Sequence, residues 1–268
     1  MRDRISVIVP TCDRPCEFLD VALRSILDQS QALSEIIVVD NGLVPAQIAY
    51  SDARIRLHGI APRCGAAEAR NFGASQASGE LLAFLDDDDW WDDNFLAEAK
   101  RRMEEAQADV VYGRMVHLLG DRVIGDQTLS DPPDLVRDVL MRNRGTGGGN
   151  VLLARAAFEE VGGFRTDLKT SEDRALAADL LIAGRKVVST SNAIVYVRHH
   201  QGARLGVSVV AWWKFFFIYR KKMNLVEKLA YMRNLLRIII KLTFRRFRIV
   251  GSAVKRRFRL HTRADRQS

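Results

Sequence analysis

Four aspartates in a row, Asp86 to Asp89, directly follow the apolar run Leu81-Leu82-Ala83-Phe84-Leu85. Carboxylates this close repel and raise one another's pKa, and a bound divalent cation removes that penalty. Carboxylate oxygens suit hard ions such as Mg²⁺ or Mn²⁺, which also take phosphate oxygens as ligands. If the strand continues through the acids, Asp86 and Asp88 share one side and Asp87 turns away. A purely structural account is an acidic turn capping the next helix through Asp92 or Asp93. That account suits Asp89 to Asp93 better than Asp86 and Asp88, which a hydrophobic strand delivers to its end. Other groups with chemical potential are Thr11-Cys12-Asp13, Asp40-Asn41, Glu172-Asp173 and Arg198-His199-His200. Glu172-Asp173 opens a segment rich in Ala and Leu, where a helix dipole favours an anion. In the last group an imidazole can ligate such ions and Arg198 can neutralise phosphate.

These residues need elements to position them. Ile5-Ser6-Val7-Ile8-Val9 and Ile36-Ile37-Val38-Val39 are short apolar runs, the mark of buried strands. Ile55-Arg56-Leu57 reads as a third strand and 81–85 as a fourth. Between them, Pro15 suits the first position of a helix, with Asp13 or Arg14 near the cap. Phe18, Leu19, Ala22, Leu23 and Ile26 form its stripe, and a second helix spans Ala66 to Gln76. Strands alternating with helices predict an α/β fold with a mainly parallel, doubly wound sheet. In such sheets ligands bind beyond the carboxyl ends of the strands, which is where Thr11, Asp40 and the aspartate run fall. Further on, 109–119 and 123–124 predict a hairpin. Gly145-Thr146-Gly147-Gly148-Gly149 reads as a flexible loop before a strand at Val151-Leu152-Leu153. A helix is expected from Ser171 to Ile182 and a strand from Ala193 to Val197. The glycine run precedes a strand instead of following one, so it fails the context of a dinucleotide fingerprint and is read as a mobile acceptor loop.

Several motifs stand in a telling order: Val7-Ile8-Val9-Pro10-Thr11, Val39-Asp40-Asn41-Gly42, Ala69-Arg70-Asn71-Phe72-Gly73, Phe84-Leu85-Asp86-Asp87-Asp88-Asp89-Trp90, and Gly162-Gly163-Phe164 followed by Glu172-Asp173. In this order and spacing they resemble the family 2 glycosyltransferases of GT-A fold, over roughly residues 4 to 200. The resemblance implies inverting transfer from a nucleotide-sugar, UDP-linked in the first instance, with Mg²⁺ or Mn²⁺. It places Thr11 and Asp40 on the base and ribose, with Pro10 and Asp13 in the same nucleotide set. Arg70 lies near the base or diphosphate, and Asp86 near the ribose with Asp87 beside it. Asp88 becomes the metal ligand of a DxD motif, joined by His200. Inverting transfer needs a base on the acceptor hydroxyl, and the resemblance assigns that to Asp173. Glu172, Thr146 and Gly147 fall on the acceptor side. The family often has Asp-Gly-Ser where this chain has Asn41-Gly42-Leu43, a departure that bears on the identity of the base.

The chain has 268 residues and a formal net charge of +8. From Ala211 to Ser268 there are 17 Lys/Arg against 2 Asp/Glu, so a mildly acidic body carries a strongly basic tail. The expected division is a catalytic domain at 1–204, with a nucleotide-sugar half at about 1–110 and an acceptor half at about 111–204, and a helical basic tail at 205–268. Trp212-Trp213-Lys214-Phe215-Phe216-Phe217, and Leu225, Leu229, Met232, Leu236, Ile239 and Ile240 among Lys and Arg, have the composition of an interfacial helix on anionic lipid. Packing on the body or a partner is the other account. Nucleic-acid binding is set aside, because the catalytic half carries no nucleic-acid motif.

Cys12, Cys16 and Cys64 are odd in number and lack paired spacing, which argues against a disulfide framework or zinc site and for buried, reduced thiols. The apolar run after Arg4 stops at Pro10, too short for a secretory signal. Charge-free stretches such as 187–197 fall short of the ~20 residues that span a bilayer. The expectation is a cytoplasmic enzyme, peripheral on the inner face of the plasma membrane, acting on a glycan or lipid-linked acceptor in surface-glycan synthesis. One rival is a sugar nucleotidyltransferase, but Thr11-Cys12-Asp13-Arg14-Pro15 is no glycine-rich phosphate loop. The other is a non-catalytic nucleotide-binding scaffold on the same fold.

Overall fold

The computed structural model describes residues 4–142, 144–199 and 209–240. The chain divides into a unit ending at Gly206 and another beginning at Val207.

In the first unit, β1 (Ile5–Thr11), β2 (Glu35–Asp40) and β4 (Leu81–Phe84) are buried along their whole length. Continuous apolar runs are what parallel strands covered on both faces require. With β3 (Ile55–Gly59) they form a parallel array in the order β3-β2-β1-β4. The register sets Thr11 beside Asp40 and Ile8 beside Phe84. Thr11, Asp40 and the acids after β4 therefore leave the sheet at one edge. Helix α1 (Cys16–Leu27) buries Leu19, Ala22, Leu23 and Ile26 of the expected stripe, with Phe18 half-buried. Pro15 precedes its first helical residue and accepts from the Phe18 amide, so neither Asp13 nor Arg14 caps it. Helix α2 (Ala66–Gln76) lies close over β1 and β2. A Cβ on its Gly73 would stand 2.5 Å from Ile8 Cγ2, so only glycine permits that approach.

The second half adds β5 (Trp90–Trp91), α3 (Phe95–Ala106), β6 (Val110–Leu119), β7 (Arg122–Gln127), β8 (Val151–Ala154), α4 (Arg155–Glu160), α5 (Glu172–Ile182) and β9 (Val187–Arg198). The sheet continues β4-β8-β6-β9-β5, with β7 on β6. The α/β class and the parallel first half stand, while the second half is mixed. β8 runs antiparallel to both β4 and β6, and β9 runs parallel to β6.

Four local expectations are corrected. Asn94, not Asp92 or Asp93, precedes α3, while Asp92 Oδ1 accepts the Asn94 amide at 3.1 Å. β9 begins at Val187, six residues earlier than expected, because its polar middle Ser189-Thr190-Ser191-Asn192 hides it. The thiols are free but not buried: Cys12 and Cys16 are exposed and Cys64 is half-buried. All three sit in or beside strand-end turns, outside the core. The glycine run 145–149 is no loose loop, since Gly145, Thr146, Gly147, Gly148, Gly149 and Asn150 are all buried. Asn150 ties them down, donating to Gly113 O at 2.6 Å and Gly145 O at 2.9 Å and accepting from the Gly147 amide at 2.9 Å. Trp91 Nε1 donates to Gly149 O at 2.8 Å.

In the second unit, α6 (Val209–Tyr219) is followed by a helical run at 225–240. Tyr231 Oη donates to Trp212 O at 3.0 Å, and its ring lies 5.3 Å from that of Phe216. The run carries two apolar stripes. Tyr231 and Leu235 are buried, whereas Leu225, Leu229, Leu236 and Ile240 are exposed. No described helix is long and apolar enough to cross a membrane.

Candidate active site at the strand edge

The edge is built from short turns whose carboxylates are mostly occupied. Asp40 Oδ1 accepts the Gly42 amide at 2.8 Å, and Oδ2 accepts the Ala46 amide at 2.7 Å. Asp13 has φ +49°, a left-handed conformation that Asp tolerates better than most residues. Its Oδ1 takes the amides of Leu43 at 2.6 Å and Val44 at 3.1 Å, and its Oδ2 meets Arg63 at 3.1 Å. Those amides hold the Asp13 carboxyl below its ordinary pKa. A Cβ on Gly42 would stand 2.8 Å from the Asp13 amide nitrogen, so the turn admits only glycine. Asp13 and Asp40 thus shape one wall, and Pro10 lies buried in β1 just before Thr11.

Strand β4 ends at Phe84, and Asp86 to Asp89 close a turn in which the Asp89 amide donates to Asp86 O at 3.2 Å. Strand alternation therefore does not govern these acids, which corrects the expectation that Asp86 and Asp88 share a side. Their partners differ. Asp87 is buried, accepts from Thr11 Oγ1 at 2.7 Å and pairs with Arg14 at 3.2 Å. Burial pushes its pKa up to about 6 against the pull of Arg14. Arg14 reaches Asp88 as well, at 3.2 Å. Asp89 Oδ1 accepts the Arg198 amide at 2.8 Å, and the Arg198 guanidinium lies over the rings of Phe18 and Trp90 at 4.8 and 4.9 Å. His199 Nε2 lies 3.0 Å from His117 Nδ1. His200 lies outside the described residues. Among those described, no three His, Cys, Asp or Glu side chains converge as a ready-made metal cage.

Asp86 belongs to a separate network. Arg70 of α2 is 4 % exposed; its Nη2 meets Asp86 Oδ1 at 2.5 Å and its Nη1 meets Glu172 Oε1 at 3.1 Å. The neighbouring Asn71 grips the backbone of Phe164, donating to its carbonyl at 2.7 Å and accepting its amide at 2.8 Å. Two motifs far apart in sequence are thereby joined, and the Phe164 ring sits 5.1 Å from the Arg70 guanidinium. Ser171, at φ +72°, turns the chain into α5. Asp173 follows in the first turn and accepts the Arg174 amide at 2.7 Å. Burial foremost, then the Glu172 charge, pushes the Asp173 pKa up to about 7, opposed by Arg70. Arg174 itself is buried on the carbonyls of Val139 and Leu140. The Tyr112 hydroxyl of β6 is buried without a hydrogen-bond partner, and burial and the Asp173 charge push its pKa up.

The edge thus brings together Thr11, Asp13, Asp40, Asp86, Asp87 and Asp88, and Arg70 links it to Glu172 and Asp173. Sequence reasoning missed Arg14, Tyr112, Gly148 and Asn150. Only Arg14 had a legible signal, since four adjacent acids need a nearby cation. A parallel strand edge of this kind, flanked by a mixed second half with a separate acid pair, is that of a GT-A glycosyltransferase.

The model described as "Glycosyl transferase family 2" matches residues 6–162, and the chain belongs to that family. It is 26% identical over 236 residues to the putative teichuronic acid biosynthesis glycosyltransferase TuaG of Bacillus subtilis, covering 85% of this chain and 90% of that protein. It is 29% identical over 155 residues to WfgD of Escherichia coli, a UDP-Glc:alpha-D-GlcNAc-diphosphoundecaprenol beta-1,3-glucosyltransferase, covering 56% of this chain and 60% of that protein. Among solved structures, S. aureus TarS 1-349 in complex with UDP-GlcNAc superposes with a TM-score of 0.66 at 17% identity, over 88% of this chain and 72% of that one. At that identity the likeness speaks for the fold.

Proposed function

We propose that this enzyme transfers a sugar, with inversion, from a UDP-sugar to an acceptor hydroxyl on a lipid-linked or growing glycan in surface-polysaccharide synthesis. The observation that carries the reading is Asp173, an acid whose pKa is pushed up to about 7, at the start of a helix tethered through Arg70 to the strand edge. A base with a pKa near the working pH is suited to taking a proton. The acceptor oxygen forms a bond to the anomeric carbon while the bond from that carbon to the diphosphate oxygen breaks. The diphosphate leaves with the electron pair, and the acceptor proton passes to Asp173. Glu172 orients the acceptor beside Thr146 and Gly147. The nucleotide lies along Pro10, Thr11, Asp13 and Asp40, with Asp86 and Asp87 lining its path. The teichuronic acid and diphosphoundecaprenol-linked syntheses of TuaG and WfgD support the surface-glycan reading, and the TarS complexes with UDP-GlcNAc and UDP support a UDP donor.

The donor chemistry fits Mg²⁺ or Mn²⁺. These ions are held by one or two carboxylates together with substrate phosphates, not by all-protein cages. Asp88, partly buried and carrying an acidic neighbour on each side, is the residue that would hold the ion. His200 is the second ligand implied by the resemblance. When bound, the ion would offset the charge on the leaving diphosphate.

A thermal-shift screen tests the donor. With Mn²⁺ present, UDP is expected to raise the melting temperature more than GDP, dTDP or CDP, because a ligand that binds only the folded state stabilises it. Equal shifts for all four would remove the UDP assignment.

The tail is read as an anchor on the inner face of the plasma membrane, leaving the enzyme cytoplasmic. The exposed stripe Leu225, Leu229, Leu236 and Ile240 and the exposed Lys221, Lys222, Arg233 and Arg237 support this. Each basic residue near an anionic surface adds about 1 kcal/mol, and salt screens that term but not the apolar one. Reversing the charge at Arg245, Arg246, Arg248, Lys255, Arg256 and Arg257, which lie outside the described residues, is expected to weaken flotation with anionic vesicles at low salt, leaving the part carried by the apolar stripe. Undiminished flotation would refute the electrostatic anchor.

A further inference from the structure

Resemblance sets Arg70 beside the nucleotide, but its surroundings point to a different task. The guanidinium is committed on two ends, to Asp86 at 2.5 Å and to Glu172 at 3.1 Å. It is crowded by neighbours as well. The Phe164 ring lies 5.1 Å from it, its backbone held by two hydrogen bonds exchanged with the Asn71 side chain. Gly148 closes in elsewhere: a Cβ there would stand 2.6 Å from Nη2 and 2.7 Å from Cζ. Nε is buried without a hydrogen-bond partner. A planar, permanently charged fork can bridge two carboxylates and sit over an aromatic ring at once, which a lysine ammonium cannot do.

We infer that Arg70 is a positioning residue that braces the start of α5 against the aspartate turn, so that Glu172 and Asp173 stand in register with the donor, and that Gly148 is glycine to leave room for this brace. The inference rests on the reading of Asp173 as base. The charged and titratable groups facing Asp173 are Glu172, Arg70, Asp86 and Tyr112. The Arg174 guanidinium is taken up by the Val139 and Leu140 carbonyls. Arg70 is thus the cation that opposes the two neighbouring acids, and its placement sets both the position and the ionisation of Asp173.

Two variants test this in the full chain. Arg70→Lys keeps the charge but replaces the fork with a point donor. Gly148→Ala keeps every charge and crowds the guanidinium. A 1 Å misplacement of a reacting group can lower turnover about 10²-fold, so kcat should fall by that order in both while the Kd for UDP with Mn²⁺ stays within about threefold. The acid limb of kcat/KM should also move to higher pH, because Arg70 no longer favours ionised Asp173 as strongly. A merely structural role would lower the melting temperature without moving that limb. Should UDP affinity drop as far as kcat/KM does, Arg70 is a nucleotide contact and the inference fails. It fails equally if kcat and the limb match the parent. If Arg70→Lys does not fold, Gly148→Ala decides alone. Asp173→Asn measured alongside separates the two readings. Parental turnover by that variant removes Asp173 as base, while the split between kcat and UDP affinity still judges Arg70.

Discussion

Replacing Asp173 with Asn is expected to cut turnover by about 10²–10⁴-fold, the usual contribution of a general base, while UDP binding is retained. The carboxylate is the only thing removed, and the amide keeps its size and its acceptor for the Arg174 amide. The pH dependence follows from the pKa of the parent acid, raised from 3.8 to about 7. A base acts when ionised, so kcat/KM of the parent should climb with pH and level off above about 7. The residual activity of Asp173→Asn should lack that limb. Stability runs the other way. The folded state keeps a proton that the unfolded chain releases above 3.8, so the contribution of this group is lost as pH rises from about 4 through 7. The Asn variant should therefore melt higher than the parent at pH 8, with the gap closing at pH 4. Near-parental transfer by Asp173→Asn would remove Asp173 from the mechanism.

The second large effect is expected at Asp88. Asp88→Asn should weaken UDP binding in Mn²⁺ at least about 10-fold, since even outer-shell partners of a metal contribute 10–100-fold to its affinity. In EDTA the two proteins should bind UDP alike. The variant also loses one of the two pairings of Arg14, but Asp87 retains the other at 3.2 Å, so the turn should keep its shape. Calorimetry with and without Mn²⁺ separates these contributions. Unchanged affinity in Mn²⁺ with an intact fold would falsify the assignment of Asp88 as metal ligand.

Much of the first half was legible residue by residue. β1, β2 and β4 are written as uninterrupted apolar runs, and α2 occupies the span its composition predicts, Ala66 to Gln76. Parallel pairing of those strands puts Thr11 and Asp40 in register, so the convergence of acids at one edge follows from local pattern and the rule for strand ends. The family order of motifs carried the rest of the recognition. Less was legible beyond Trp91. The polar centre of β9 breaks its apolar signature, and the direction of β8 depends on where the chain returns, which no local periodicity encodes.

The sequence by itself determined the α/β class, the edge where the aspartates gather, the family, and the basic, apolar character of the tail. These depend on side-chain type and on neighbours a few residues apart, where helix and strand periods act. Only the tertiary structure decided that Asp86 and Asp88 have different partners, because a turn after Phe84 ends the alternation a strand would impose. It also decided that the glycine run 145–149 is pinned by Asn150, and that Arg70 meets Glu172 across 102 residues of chain. A buried cation is brought to its carboxylate by the packing of whole elements, and the pKa of Asp173 is set by what that packing removes from water.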